Sequence, residues 1–347
     1  MKYSFLQTLI SPRRRTGPLF CALFLFVMTF IGSGFAATVD LIVDADQPTI
    51  VVGNSGTQTL TVSNTGDSAT ASVVLTYYTP IFCNLATSQP TLPSGVTSSV
   101  LYTNTSRFIP SAIQYTITAT ALNASGSISV SVGLTVPSGT PQTPSMLSWG
   151  NATVYPIAGG DTEVNLQDNV IGSAVSIDGA SPGTVSSSSP ALFLAPPFGT
   201  AYSDNSTTST TGSVFFLVGN DKNAGATSQP FGLVFVLPPY IRYTSADSLT
   251  SCSVLFPSTT DLTLEQIVSC TNPTLLPASS SCLLSLLGTC IIPNLSPPTA
   301  TVTIKVTGYP GATVGSQWTI ASVFTTGSDV DQELFANVSS PGIVVPH

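Results

Sequence analysis

Charged side chains are scarce in this sequence. They make up only 7% of the 347 residues, against roughly 25% in a typical soluble domain. Serine, threonine, glycine, alanine and valine take their place. Surface helices need Glu, Lys, Arg and Leu, whereas strands with hydroxylated outer faces do not. The composition therefore argues against a helical protein and favours an all-β protein.

Basic residues are scarcer still. The chain has 8 Lys and Arg against 16 Asp and Glu. Beyond position 36, the basic residues are Arg107, Lys222, Arg242 and Lys305. A nucleic-acid-binding protein must neutralise phosphates with Lys and Arg, so we expect no nucleic acid partner. Attachment to anionic lipid is disfavoured for the same reason.

Histidine is almost absent, because His347 is the only one. A Ser-His-Asp or Cys-His arrangement needs an imidazole held by a third group, and a chain end is a poor place for one. The stretch 179–183 matches the Gly-x-Ser-x-Gly nucleophile motif. Its Pro182, however, lacks the N–H that the oxyanion hole would use. We therefore expect no catalytic residue, no cofactor and no enzyme.

Two acidic runs are the remaining candidates for chemistry. Asp44 and Asp46 share one strand face, and Asp329, Asp331 and Glu333 form the second run. Neither run has the Asp-x-Asp-x-Asp-Gly loop of a calcium-binding hand. We interpret both as solvated surface or turn residues and predict no metal site. A calcium site between domains is the alternative.

The N-terminus has the three parts of an export signal. Lys2 and the arginines 13–15 are positive, the run 19–31 is apolar, and small residues stand at Gly34 and Ala36. The apolar run of about 13 residues is shorter than the roughly 20 that cross a bilayer. We expect cleavage after Ala36, a secreted or cell-surface location, and no integral membrane span after cleavage.

Five cysteines follow the predicted cleavage site, in a compartment where disulfides form by default. Four of them share one C-terminal stretch and predict two local bridges: Cys252, Cys270, Cys282 and Cys290. A hairpin-like spacing favours the pair Cys282–Cys290, which leaves Cys252–Cys270 as the other pair, although four cysteines allow three connectivities. Cys83 is left unpaired, so it is either buried or bonded to another chain. No histidine is near and no Cys-x-x-Cys occurs, which disfavours zinc.

Apolar and polar residues alternate with a period of two, as in half-buried strands. The clearest examples are 60–62, 113–117, 128–136 and 302–306. Short turns separate these runs, and no convincing amphipathic helix lies between them. We predict tandem immunoglobulin-like β-sandwich domains after an N-terminal signal peptide.

A Pro- and Ser-rich stretch divides the chain. We predict a signal peptide at 1–36, a first immunoglobulin-like domain at 37–137, a linker at 138–147 and a second β region at 148–347. A further split near 186–190 is possible. Asn-x-Ser/Thr sequons, one of them at Asn151, fit glycosylation without establishing it.

The second region carries a recognisable order of parts: a strand, an Asn-rich turn, a strand ending in Leu-Pro, an aromatic strand, a cysteine hairpin and a Thr-rich strand. These parts lie at 213–218, 220–225, 233–238, 241–246, 252–290 and 299–307. In this order the stretch from Gly212 to Val338 resembles the prokaryotic surface-repeat domain catalogued as domain of unknown function number eleven. It departs from that pattern at Pro239-Tyr240 and in its expanded cysteine region. The resemblance implies an immunoglobulin-like fold and a cell-surface or wall-associated structural role, with no catalytic residues.

These observations favour a secreted or cell-surface structural or adhesive protein that is not catalytic. Its partners would be other surface proteins, cell wall or glycan, and self-association is possible. One alternative is a carbohydrate-binding or carbohydrate-processing protein. The other is a subunit of an extracellular filament, in which an unpaired edge strand or Cys83 joins copies.

Overall fold

The structure is a computed structural model of the 347-residue chain. It describes residues 38–70, 72–138, 145–157, 162–163, 165, 168–179, 190–195, 198–200, 210–220, 226–227, 229–257, 261–277, 282–286, 289–293, 298–309, 315–318, 320–326, 338–339 and 342–345. The predicted signal peptide at 1–36, His347, the stretch 180–183 and the second acidic run lie outside the described residues.

Every regular element within the described ranges is a β-strand. The strands of the first half are β1 (Thr38–Val39), β2 (Leu41–Ala45), β3 (Thr49–Val51), β4 (Ser55–Asn64), β5 (Ser72–Tyr78), β6 (Asn84–Leu85), β7 (Val96–Tyr102), β8 (Ala112–Thr118), β9 (Ser127–Thr135), β10 (Ser145–Pro156), β11 (Thr162–Glu163) and β12 (Val170–Asp178).

The strands of the second half are β13 (Leu192–Leu194), β14 (Phe198–Thr200), β15 (Thr210–Asn220), β16 (Phe231–Leu237), β17 (Ile241–Ala246), β18 (Ser251–Phe256), β19 (Gln266–Asn272), β20 (Cys282–Leu286), β21 (Thr289–Pro293), β22 (Thr299–Gly308), β23 (Gly315–Trp318), β24 (Ala321–Thr325), β25 (Val338–Ser339) and β26 (Gly342–Val345). The prediction of an all-β protein is confirmed.

Two sheets form the first sandwich. A four-stranded sheet has the order β2-β4-β9-β6, and a six-stranded sheet has the order β3-β12-β10-β5-β8-β7. The pair β3–β12 is parallel and the other pairs in these two sheets are antiparallel. The alternation predicted half-buried strands, and Leu60, Val62 and Ile113 all point into one core with at most 1% exposure.

A buried glutamine ties the two sheets of the first sandwich together. The Tyr77 hydroxyl donates to Oε1 of Gln58 at 2.6 Å. Nε2 of Gln58 in turn donates to the carbonyls of Asp46 and Ala174, at 2.8 and 3.0 Å. These bonds join β4, β5 and β12 across the core. Because each polar atom is paired, the glutamine is buried without the cost of an unsatisfied amide.

Two further sheets form the second sandwich. The larger sheet has the order β17-β22-β15-β14-β26-β23, with β13 also paired to β15, and the smaller one has the order β18-β19-β16-β24-β25. Val302, Ile304 and Val306 of β22 are fully buried between them, as the alternation predicted. Two small pairs, β1–β11 and β20–β21, lie outside these four sheets.

Strand pairing crosses the predicted boundary between the domains. Residues 139–144 of the predicted linker at 138–147 lie outside the described part. The strand that follows, β10, pairs with β5 and β12 of the first sandwich. By pairing, β10 and β12 therefore belong with the strands of the first sandwich, across the division predicted at 137 and 148. The possible split at 186–190 falls almost entirely outside the described residues.

Among the described residues there is no helix with the length and apolarity needed to span a membrane.

Candidate functional site at the seam between the sandwiches

The strand β16 is buried on both of its faces. Leu233, Phe235 and Leu237 pack into the core of the second sandwich, whereas Val234 and Val236 pack into the core of the first. Its sequence is a continuous apolar run, which is what a strand covered on both sides requires. The five-stranded sheet therefore serves two cores at once. We call its contact with the first sandwich the seam.

Aromatic side chains close one part of the seam. The rings of Phe108 and Phe324 stack with centroids 4.5 Å apart and planes 9° apart. Tyr102 and Phe256 form a second stacked pair at 5.7 Å. Each pair joins one residue of the first sandwich to one of the second. Such pairs contribute roughly 0.5–1.5 kcal/mol beyond the area they bury.

A glycine makes room for one of these rings. A Cβ added to Gly232 in β16 would lie 2.3 Å from two ring atoms of Phe324 in the neighbouring strand β24. Only glycine lets the Phe324 ring lie across β16 while it stacks on Phe108. The Phe-Gly pair that opens β16 is thus explained by packing at the seam.

The second part of the seam is polar and buried. Glu265, in the turn before β19, is only 1% exposed. Its Oε1 accepts a hydrogen bond from Nδ2 of Asn151 at 2.8 Å, and its backbone carbonyl accepts one from the Tyr78 hydroxyl at 3.0 Å. Asn151 and Tyr78 belong to β10 and β5 of the first sandwich. One turn of the second sandwich is therefore anchored by two strands of the first.

Two oxygens in this cluster lack a partner if the carboxyl is ionised: Oε2 of Glu265 and Oδ1 of Asn151. Burial raises the pKa of Glu265 well above its usual range, and the Arg242 charge and the Asn151 hydrogen bond lower it only in part. A protonated carboxyl has an O–H to donate, and an amide oxygen is its natural acceptor. The site therefore favours the protonated acid to a higher pH than an exposed glutamate does.

Arg242 lies at the edge of this cluster and is 7% exposed. Its guanidinium donates to the carbonyls of Ile241, Asp261 and Leu264 at 2.5–2.7 Å. Burial lowers its pKa, and the nearby Tyr78 hydroxyl and the acidic groups oppose that shift. The guanidinium thus fixes the turn that carries Glu265 through backbone carbonyls.

A carboxyl this deeply buried is suited to holding strands together, since no substrate reaches it. The sequence predicted no role for Glu265, and Asn151 was noted only as a glycosylation sequon. Because Asn151 is fully buried, that sequon is not accessible in the folded protein. The useful signal in the sequence was an acid, Glu265, directly before the mostly buried strand β19.

The structure places the predicted cysteines as follows. Cys252 and Cys270, the pair left over by the sequence argument, form a disulfide between β18 and β19. Cys282 and Cys290 lie on the paired strands β20 and β21, but their side chains are outside the described part, so their bridge stays a prediction. Cys83 carries a free thiol that is 2% exposed.

Burial favours a buried free thiol at Cys83 over a bond to another chain. Desolvation raises the pKa of its thiol to about 12, and only the thiolate is a good nucleophile. We expect iodoacetamide at pH 8 to leave Cys83 unmodified in the native protein and to modify it fully in urea, as read by peptide mass spectrometry. Modification of Cys83 in the native protein would contradict this burial and would restore it as a link between copies.

The first acidic run has local structural roles. The Asp44 carboxylate accepts from the Ala45 N–H at 2.8 Å, and the Asp46 carboxylate accepts from the Thr59 N–H at 2.7 Å. These bonds support the interpretation of this run as turn and surface residues.

The outer faces of the sheets carry hydroxyl groups that pair across strands. Ser55 bonds Thr135 at 2.9 Å and Thr61 bonds Ser129 at 3.0 Å on the first sandwich. On the second, Thr244 bonds Thr307 at 2.8 Å. Cross-strand hydroxyl pairs of this kind stabilise a sheet modestly. At these positions the sheet surface is uncharged and the hydroxyl groups already have partners.

The strand β7 is an open edge. Within the described part of the chain, it pairs only with β8 and ends the six-stranded sheet. Residues 97–100 are exposed, Val100 by 52%, and β7 contains no charged residue. An exposed edge without Lys, Pro or a covering element can accept another strand.

No family model matches the chain, and none of the curated proteins is similar to it. The resemblance to the surface-repeat family is therefore not confirmed, although the β-sandwich it implied is. Among solved structures, a non-cellulosomal cohesin from the archaeon Archaeoglobus fulgidus is 14% identical over 40% of this chain and 92% of its own, with a TM-score of 0.28. A protein of unknown function from Porphyromonas gingivalis is 12% identical over 87% and 97%, with a TM-score of 0.23.

A type II cohesin dyad from Acetivibrio cellulolyticus is 9% identical and covers 90% of this chain and 98% of its own, with a TM-score of 0.22. At such identities and TM-scores, these similarities carry no inference about what this chain binds. The functional argument depends on the chain's own residues.

Proposed function

We propose that this chain is a secreted or cell-surface structural or adhesive protein, not an enzyme, built from tandem immunoglobulin-like sandwiches and exported by its first 36 residues. The observation that carries the proposal is the seam. At the seam, the buried ionisable groups Glu265 and Arg242 hold the two sandwiches together. The outer faces of the sheets carry hydroxyl groups and little charge. The Cys252–Cys270 disulfide supports an oxidising compartment.

Envelope binding without turnover tests this proposal. We expect the purified protein to sediment with isolated cell envelopes of the producing organism and to release no soluble sugar or peptide from them. Mass spectrometry of the supernatant, with an envelope-only sample as control, measures the release. Fragments that appear only with the protein would show an enzyme and overturn the proposal.

The carbohydrate alternative has less support. Sugar-binding sites commonly use exposed aromatic rings, whereas the described aromatic side chains are all buried or partly buried. The most exposed large apolar residues among those described are aliphatic, led by Leu249 at 62% and Leu275 at 53%.

Self-association is the second candidate function, because β7 is an uncharged open edge. We expect Val100→Lys to abolish any association of the protein with itself, since an edge lysine blocks strand addition. Sedimentation velocity and negative-stain microscopy measure the change. Thr301→Lys adds the same charge at an exposed position of β22, a strand paired on both sides, and should leave association unchanged. If both variants lost self-association equally, the change in net charge, and not the edge strand β7, would explain the loss.

A further inference from the structure

Three Asn-x-Ser/Thr sequons have their asparagine within the described residues, at Asn104, Asn123 and Asn151. In an exported protein such a sequon accepts an Asn-linked glycan when it lies on the surface. The glycan replaces one of the two protons of the asparagine amide. An amide that is buried or already hydrogen-bonded is therefore a poor acceptor, and the structure separates the three sequons on this ground.

The fold already uses two of these amides. Asn151 is fully buried, and its Nδ2 donates to Glu265 at the seam. Asn104 is half-buried. Its Nδ2 donates to the Tyr102 hydroxyl at 2.8 Å, and its Oδ1 accepts from the Ser106 N–H at 2.7 Å. A glycan at either position would break contacts that the first sandwich makes.

Asn123 lies in the turn between β8 and β9, where Asn123, Ala124 and Ser125 are all exposed. The backbone of this turn is held in place, because the Gly126 N–H donates to the Asn123 carbonyl at 3.0 Å and the Leu122 side chain is buried in the core. Within the described ranges, neither the Asn123 amide nor the Ser125 hydroxyl bonds to another residue. The amide is therefore accessible to a transferase, and a glycan on it displaces no contact of the fold.

Ser125 provides an independent observation. Its φ is 53°, in the left-handed region where glycine is the usual residue of a turn. A serine in this conformation costs backbone energy, and its hydroxyl forms no hydrogen bond with the described part of the chain in return. A hydroxyl two positions after the asparagine is the part of the sequon that glycosyl transfer requires. The sequon thus accounts for a residue that the turn alone does not favour.

The turn is remote from the seam. It follows the end of β8 at Thr118, which pairs with Ser72 at the start of β5. The other end of β5, at Tyr78, makes the seam contact with Glu265. The two ends of β5 are roughly 20 Å apart at about 3.4 Å per residue. A glycan on Asn123 is therefore compatible with an intact seam.

We propose that Asn123 is an Asn-linked glycosylation site, which rests on the export that the proposed function requires. The donor is a glycan carried on a polyprenyl diphosphate. Nδ2 of Asn123 forms a bond to the anomeric carbon of the first sugar and gives up one proton to a base of the transferase. The bond from that carbon to the diphosphate breaks, and the diphosphate leaves with the electron pair. The hydrated glycan adds solubility to a surface that has few charges.

Mass spectrometry of the protein purified from the envelope and medium of the producing organism tests the site. We expect a peptide that carries the glycan on Asn123. Asn123→Gln should lower the intact mass by one glycan, whereas the control Asn104→Gln should keep the glycan mass. Ser125→Gly should lose the glycan although the asparagine is still present.

The Ser125→Gly variant also guards against misfolding, because glycine adopts a positive φ without strain. It should unfold at the same temperature as Asn123→Gln or at a higher one, since both variants lack the glycan. An exported protein with its signal peptide removed and Asn123 unmodified overturns the proposal and leaves the proposed function standing. A protein that stays in the cytoplasm with its signal peptide attached overturns both. A glycan that persists on Asn123 in Ser125→Gly also overturns the proposal, because transfer would then not depend on the sequon.

Discussion

Replacing Ile267 by alanine is expected to lower the free energy of unfolding by about 2–5 kcal/mol and to weaken the union of the two sandwiches. Ile267 lies on β19 of the second sandwich, but its side chain packs into the core of the first sandwich and is fully buried. Truncation leaves a cavity at the seam that neither sandwich can close alone. Denaturant unfolding, followed by fluorescence and by circular dichroism, measures the loss.

The neighbouring residue supplies the matched control. Val268 is also fully buried, but it packs into the core of the second sandwich. Val268→Ala should destabilise the protein, by about 2 kcal/mol for its two lost methyl groups, while the two probes still report one transition. In Ile267→Ala, the unfolding transitions seen by fluorescence and by circular dichroism should instead occur at different denaturant concentrations. If both variants leave the transitions coincident, Ile267 does not couple the sandwiches.

The second large effect is a dependence of stability on pH through Glu265. Its pKa is raised in the folded protein, whereas in the unfolded chain it is the ordinary value of about 4.3. Above that pH the unfolded state releases the proton and the folded state keeps it. The free energy of unfolding therefore falls as pH rises, by about 1.4 kcal/mol per pH unit, from about pH 4.3 up to the raised pKa.

Glu265→Gln is the variant that tests this dependence. Glutamine keeps an oxygen to accept from Asn151 and gains an amide that can donate to the free Asn151 oxygen, without a charge at any pH. We expect urea unfolding to show a flatter pH dependence for this variant and greater stability than the parent protein at pH 8. The exposed-carboxylate variant Asp44→Asn should keep the parent slope. If Glu265→Gln instead kept the pH dependence of the parent protein's free energy of unfolding, Glu265 would be ionised at the seam.

The strands of the fold could be predicted from the sequence, because a half-buried strand alternates apolar and polar residues with a period of two. Leu60, Ile113 and Val302 are examples that the structure buries. The strand β16 has no such alternation. Its run of apolar residues identifies a strand covered on both sides only once the covering layers are known.

The boundary predicted at 137 and 148 falls between strands that lie in one sandwich. A Pro- and Ser-rich stretch is typical of a linker, but here it connects β9 and β10 of two facing sheets in the same sandwich. Such a crossing needs the same turn-forming residues as a link between domains. Composition alone does not distinguish the two cases.

The polar contacts of the seam and those of Glu163 with the start of β2 were not predictable from local patterns. Glu265 and Asn151 are 114 positions apart, and Leu41 and Glu163 are 122 apart. The run from 161 to 169 is nonetheless rich in side-chain oxygens, with Asp, Glu, Asn and Gln at six of its nine positions. That density was a usable signal for polar contacts in this segment.

Differential scanning calorimetry of the unmodified protein tests the central claim most directly, which is that the seam makes one cooperative body of two sandwiches. Separate domains usually unfold in separate steps, whereas a single unit gives equal calorimetric and van't Hoff enthalpies. We expect one endotherm with the two enthalpies equal. Two resolved endotherms, or a van't Hoff enthalpy near half the calorimetric value, would contradict the claim.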